Sequence, residues 1–421
     1  MNTTRKALTA IAVTTALTLG ATACSGSAAD TQDSAVQLRM TVWTSDEAQL
    51  KLLNDIAADY RADHPDIAKI TFESLPFAEY NTTLTTQIAG GNAPDLAWMG
   101  DLSSDLIASD ALLGLTDKLK ATPGWKYDDL LGSVTAEFSR DGTLYAYPFS
   151  NSPYALYVNT DLLAEAGQEI DPATLTWDQV ATAGAAVNDK TGKAGFVVRD
   201  FDYKAWNTLA TVWTGWGASA WSEDGKTCTF DSPEMEDAFT FLHDAAFKTQ
   251  AMPGPGTTAD FFAGDAAFTV AQVSRASLLT GSFDFALHPL PEGPAGDYAV
   301  LGQAGVGVLA SSRNPEQAAD FLAFLTNPAN AEKLAQYFPP PRKSLLTGEK
   351  LAANNQVLNA TQLQDAVVDQ LPQAVTLPNH ANPAEIAQKG KTALDAMWQP
   401  DADIPAVLRS VCAAIEPILA K

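Results

Sequence analysis

Cysteine and histidine are scarce in this chain, at 3 and 4 among 421 residues. So few, and so scattered, they cannot assemble a zinc cluster or an iron–sulfur site, and no metal or other cofactor is expected. Basic residues are also sparse. There are 26 Lys+Arg against 50 Asp+Glu, a net charge of −24 and a pI of about 4.4. A surface this acidic repels a phosphate backbone, which excludes general nucleic-acid binding. Beyond residue 30 no apolar run approaches the roughly 20 residues that a membrane span needs. What the chain does have is 46% hydrophobic residues, enough for sizeable cores, so it is not a disordered acidic tail. At roughly 150 residues per domain, the length favours two domains.

The first residues read as an address. Arg5 and Lys6 precede a small, apolar stretch from Ala7 to Leu19, which has the length of a signal-peptide core. Ala21-Thr22-Ala23-Cys24 follows and resembles the lipobox of bacterial lipoproteins, with Ala21 where Leu is usual. The resemblance implies cleavage before Cys24 and acylation of that residue, so 1–23 is a signal peptide and 24–35 a lipidated, polar tether. The other reading is plain secretion with Cys24 left free. Cys228 and Cys412 remain in an oxidising compartment, where a disulfide and two buried thiols are both open.

Periodicity gives the organisation. Val36 to Trp43 reads as a strand, Glu47 to His64 as a helix ended by Pro65, and Ile67 to Leu75 as a strand. Tyr80 to Ala89 reads as a helix stopping at Gly90-Gly91, and Asp95 to Met99 as a short apolar strand. That alternation spells an α/β unit with a parallel sheet. Leu144 to Val158 is β-rich, but Pro148 and Pro153 predict two strands and a turn. Thr160 to Gly167, Thr176 to Asn188, Ser232 to Ala246, Pro315 to Leu325, Ala384 to Trp398 and Ile404 to Lys421 read as helices.

Short motifs then recur in a fixed order. They are Gly90-Gly91-Asn92-Ala93-Pro94-Asp95, Tyr145 to Phe149 running on through Leu156 to Asn159 and Leu162 to Gly167, and Thr176-Trp177-Asp178. Phe262 to Phe268, Pro289 to Pro291, Gly305 to Val308, Asn314 to Leu322 and Pro339 to Ser344 continue the series. In this order the chain resembles the solute-binding proteins of ABC importers, in the carbohydrate-binding branch related to maltose-binding protein. The resemblance implies an α/β, two-lobed periplasmic-binding-protein-like fold with a hinge and an interlobe ligand cleft. It places 36–146 plus 301–352 in lobe one and 147–300 plus 353–421 in lobe two. It implies a monomer that captures an oligosaccharide or glycoside outside the cytoplasm, held to the outer face of the cytoplasmic membrane by its lipid. The partner would be the transmembrane subunits of an ABC permease.

Sugars present hydroxyl rims and apolar C–H faces, so a sugar site needs aromatic plates and planar polar side chains. Trp213 and Trp216, in the Gly-rich segment VWTGWGASAW, are candidate plates, with core packing as the alternative for each; Trp221 in the same segment reads as structural. Asp101 follows the strand ending at Met99, where the family carries a carboxylate that takes sugar hydroxyls; a helix cap is the alternative. Thr44, Ser45 and Asp46 follow the first strand, and Asp46 serves as ligand or cap. Ser150, Asn151 and Tyr154 lie between or beside the two prolines, and Gln303 lies near the second crossing. Arg342 is either a ligand cation or half of an ion pair on the lobe surface. His380, in LPNHANP, could line the cleft.

Two other classes compete. A secreted glycoside hydrolase would also be acidic and Trp-rich, but needs two carboxylates about 5–10 Å apart across one bond. Neither that constellation nor a nucleophile elbow is legible, so the chain reads as a non-enzyme. A binder of a polyamine or peptide would use the acidity and hold cations on the tryptophans.

Overall fold

The computed structural model describes residues 35–171, 174–198, 206–254, 259–353, 355–380 and 382–420. Cys24, with its leader and most of its tether, lies outside the described residues.

The described residues hold eleven strands, most of them separated by helices: β1 (Val36–Val42), β2 (Ile67–Ser74), β3 (Leu96–Met99), β4 (Ser139–Arg140), β5 (Thr143–Leu144), β6 (Ala146–Asn159), β7 (Ala194–Val198), β8 (Ala266–Gln272), β9 (Phe285–His288), β10 (Ala299–Val308) and β11 (Ala374–Thr376). The main sheet has the order β2-β1-β3-β10-β6-β8-β7, with β11 added beside β10 and β9 beside β6. β2, β1 and β3 run parallel, as the strand–helix alternation requires. β10 is antiparallel to β3 and β6 but parallel to β11, β6 is antiparallel to β8 and β9, and β7 is parallel to β8.

Two hydrophobic cores flank the middle of this sheet. The first gathers Leu38, Met40, Trp98, Tyr147, Val306 and Phe321. The second gathers Leu156, Trp177, Phe196, Phe239, Val300 and Val411. β6 belongs to the first core as far as Phe149 and to the second from Tyr154, while β10 leaves the second after Leu301 and enters the first at Ala304. These two strands are the crossings. A third runs between Phe338 in the first core and Leu351 in the second. Leu351 thus packs with the second core, although 301–352 was expected to lie wholly with the first.

β6 is one continuous strand, not two. Pro148 falls where the β6–β10 register shifts, and Pro153 falls where β6 exchanges β10 for β8 as its partner. A bulge and a change of partner are both places where a missing N–H costs no ladder bond. The helix Glu47–Asp63 starts on Asp46, whose side chain accepts from the Ala48 and Gln49 amides. In the second lobe, Cys228 and Cys412 form a disulfide with Cα atoms 5.3 Å apart, which resolves the pair left open above.

Candidate ligand cleft

Because β1, β2 and β3 are parallel, their carboxyl ends share one edge of lobe one. The loops that leave this edge carry Trp43 to Asp46 and Asp101, and Phe77 opens the helix that follows β2. Ligands of α/β folds bind outside such ends. Trp43 packs edge-on against Phe77, Tyr80 and Trp98, with ring centroids 5.0–5.8 Å away. Phe77 is 57% exposed, so this rim is aromatic and open. From lobe two, β8 ends at Gln272 beside Tyr154, and the residues after it face the crossing. There the Ser274 amide donates to Ser152 Oγ at 2.9 Å.

Between the lobes lies a cavity of about 220 Å³. Asp46 and Tyr337 line it from the lobe-one side, Ser274 and Ser277 from the lobe-two side, and Pro339 from the third crossing. Asp46 is the only charged residue in its described lining. Burial, then the Asp46 charge, pushes the Tyr337 hydroxyl above its ordinary value.

Elsewhere the lobes touch directly. Asn379 Nδ2, from the loop after β11, donates to Glu137 Oε1 in lobe one at 2.7 Å. The Asn382 amide donates to Asp105 Oδ1 at 3.2 Å. Burial raises the Glu137 carboxyl above the usual range; the Asn379 bond opposes this and the Asp101 charge adds to it.

The expected site residues divide by burial. Asp46 and Asp101 stand on the carboxyl edge; Asp46 reaches the cavity and Asp101 is exposed. Ser45 is exposed beside them, while Thr44 is buried and donates to Gln49 Oε1 at 2.6 Å. Ser150 is buried in β6 opposite Ala304.

Several expectations need correction. Asn151 is fully buried, and its Nδ2 donates to the Pro148 and Pro339 carbonyls at 2.9 and 3.3 Å. Gln303 Nε2 donates to Asn151 Oδ1 at 2.7 Å and to Val134 O at 2.9 Å. The Asn151 amide donates to Pro339 O at 2.8 Å, so Asn151 ties all three crossings together. These amides hold the hinge. Tyr154 is buried in the second core. Trp213 is buried against Phe230 and Phe239, centroids 5.4 and 5.9 Å away. Arg342 is fully buried under the Trp125 ring, its guanidinium carbon 4.4 Å from the centroid. It donates to Trp125 O at 3.0 Å and to Thr326 O at 2.7 Å, with Asp129 at 3.7 Å. It is a clamp inside lobe one rather than a ligand cation.

Trp216 is half-buried, its ring 4.9 Å from Phe241 on the helix Pro233–Phe247. The glycine beside it answers to packing and not to exposure. Gly215 O accepts from the Ala295 amide at 3.0 Å, and a Cβ on Gly293 would sit 2.0 Å from that same oxygen. Trp221, read as structural, packs against the second core and lies beside the loop that meets lobe one, its ring 5.4 Å from His380.

Glu137, Asn379, Asp105 and Asn382 escaped the sequence reading. Asn379 had a signal, an amide between Pro378 and Pro383 next to His380. Glu137 had none, because nothing local marks a glutamate in TAEFSR as lying opposite a residue 242 positions later.

An arabinooligosaccharide-binding protein from Halalkalibacterium halodurans is 26% identical over 323 residues, which covers 71% of this chain and 70% of that one. The sn-glycerol-3-phosphate-binding periplasmic protein UgpB of Escherichia coli (strain K12) is 25% identical over 323 residues, 70% of this chain and 72% of that one. An ABC substrate-binding protein from Listeria monocytogenes, solved in complex with cycloalternan, superposes with a TM-score of 0.80 at 21% identity, over 91% of this chain and 99% of that one. The last likeness shows the two-lobed fold. Residues 44–332 match the family described as bacterial extracellular solute-binding protein, and with more than half its length matched the chain belongs to that family.

Proposed function

We propose that the chain is the extracytoplasmic substrate-binding component of an ABC importer and that it captures a neutral oligosaccharide or glycoside for a membrane permease. One observation carries the choice of solute. Asp46 is the single charged residue in the described lining of the interlobe cavity, and Asp101 stands on the same carboxyl edge. Carboxylates accept hydroxyl hydrogens well and repel phosphate. The aromatic rim of Trp43 and Phe77 suits the apolar face of a pyranose or furanose ring. A sugar-binding relative supports the same choice over the glycerol-phosphate relative.

The protein acts as a monomer without a catalytic step, lipid-anchored through Cys24 at the outer face of the cytoplasmic membrane. The lobes divide near 146 and 301, a reading supported by the change of core along β6 and β10.

Thermal-shift and calorimetric titration with arabinotriose, maltotriose, sn-glycerol 3-phosphate and putrescine test the solute class. A neutral saccharide should raise the melting temperature and be recovered intact. Stabilisation by the phosphate or the polyamine alone would overturn the sugar assignment, and release of a shorter saccharide would overturn the non-enzymatic one.

A further inference from the structure

In lobe two, an arm is pinned at its far end. Trp221 and Cys228 bridge across a turn in which the Ser222 amide donates to Thr227 O and the Gly225 amide to Ser222 O, both at 2.8 Å. Cys228 is held to the helix Ile404–Leu419 twice, by the disulfide to Cys412 and by its amide donating to Glu416 Oε2 at 2.9 Å. The tip of the arm rests on His380. His380 Nε2 donates to Gly225 O at 3.0 Å, and the Trp221 ring meets the imidazole edge-on at 5.4 Å. A side chain on Gly225 would press the same imidazole, with a Cβ 3.2 Å from Nε2, at a backbone φ of +71° that already favours glycine. The next residue back is Asn379, which crosses to Glu137 in lobe one, and two residues on Asn382 reaches Asp105. The disulfide, the arm, the His380 loop and lobe one therefore form one unbroken series of contacts.

We propose that the Asn379–Glu137 hydrogen bond is a latch that favours the closed lobes before any solute binds, and that the disulfide-anchored arm Trp221–Cys228 positions it. Asn379 and Glu137 are positioning residues: they act on capture by setting how much of the protein is already closed. A hydrogen bond to a charged acceptor is enough to change a closed-to-open ratio about tenfold or more. A solute then finds a larger binding-competent fraction, and its apparent affinity rises by the same factor. The arm contributes by limiting where the loop carrying Asn379 can go, since Trp221 and Gly225 both bear on His380.

The test needs no solute, so its outcome is independent of the sugar assignment. Small-angle scattering of the ligand-free protein should show a population of closed molecules in the wild type. Glu137→Ala and Asn379→Ala should each shift the curve toward the open form, and the double variant should go no further than either single one. Glu137→Gln keeps an acceptor of similar reach but not the charge, and its curve should fall between those of the wild type and Glu137→Ala. Trp221→Ala should open the lobes in part, and so should Cys228→Ser with Cys412→Ser. If the cysteine variant unfolds, Trp221→Ala alone decides the role of the arm. The melting temperature of Asn379→Ala should stay close to that of the wild type, because the lobes remain folded when apart. A wild-type curve that already matches the open variants overturns the latch, as do single variants that leave the curve unchanged. Additive shifts in the double variant overturn the pairing. A curve for Trp221→Ala identical to the wild type overturns the positioning role of the arm.

Discussion

Arg342→Met offers a direct test of how lobe one is held together. The wild-type guanidinium is fully buried, capped by the Trp125 ring at 4.4 Å, and gives hydrogen bonds of 3.0 and 2.7 Å to the carbonyls of Trp125 and Thr326. Methionine keeps a flexible stem under the indole but donates nothing. Two buried carbonyls then lose a charged donor, at about 1–3 kcal/mol each. Asp129, 3.7 Å away and largely buried, loses its countercharge as well. Against this stands the recovered cost of burying the guanidinium, so the net loss should be about 3–5 kcal/mol, the range for breaking one side of a buried pair. At about 2.1 cal/mol/K per residue, the roughly 370 described residues give an unfolding entropy near 0.8 kcal/mol/K, and 4 kcal/mol lowers a single cooperative transition by about 5 °C. Differential scanning calorimetry of the ligand-free variant reads this directly. An unchanged melting temperature together with a lost solute response would refute the clamp and restore Arg342 to the ligand.

Three further outcomes follow from the same kind of contact. Trp216→Ala should lower ligand-free stability by about 2–4 kcal/mol, because it empties a half-buried site on Phe241. Its saccharide affinity should stay within about twofold; a loss of one or two decades at unchanged melting temperature would return the ring to the cleft. Cys228→Ser with Cys412→Ser opens a link between residues 184 positions apart and should lower stability by about 2–5 kcal/mol in denaturant titration, where equal midpoints for variant and wild type would count against it. For Glu137 the sign runs toward acid. Its carboxyl is raised on folding, first by burial, so its contribution is full below the ordinary glutamate range and is lost as pH rises through the folded value. The melting temperature of Glu137→Gln relative to wild type should therefore climb from pH 4.5 to pH 7.5, and a flat difference would show that the carboxyl is not desolvated.

The fold was legible wherever a local rule was enough. Asp46 before an amphipathic helix, Gly90-Gly91 after one, and Pro233 at the start of another are signals that act within a few residues. The continuous β6 was not legible, because proline forbids a ladder bond only where one would form, and that depends on which neighbour lies alongside. The disulfide stayed open for the same reason: 184 intervening residues carry no local geometry. Among the tryptophans, exposure was inferred from flanking glycines. Gly215 instead leaves room for the Tyr298 ring, which a Cβ there would meet at 2.7 Å, and Gly217 holds a backbone φ of +79°.

The site residues were harder for a chemical reason. A sugar site and a hinge draw on the same residue types. Both need planar side chains that donate and accept at fixed angles in a place shielded from water. Asn151 and Gln303 fit either description from sequence, and only the Pro339, Val134 and Pro148 carbonyls around them decide between the two. Once the amides are spent on the crossings, solute recognition falls to groups on the lobe faces, which are the carboxylates and aromatic rings at the strand ends. Such a division has a functional consequence. A hinge whose hydrogen bonds are internal can set the open–closed balance without the solute, while the faces set which solute is held. Substitutions at Asn151 or Gln303 should accordingly scale the affinities for all saccharides by one factor, and substitutions at Asp46 or Asp101 should change their order.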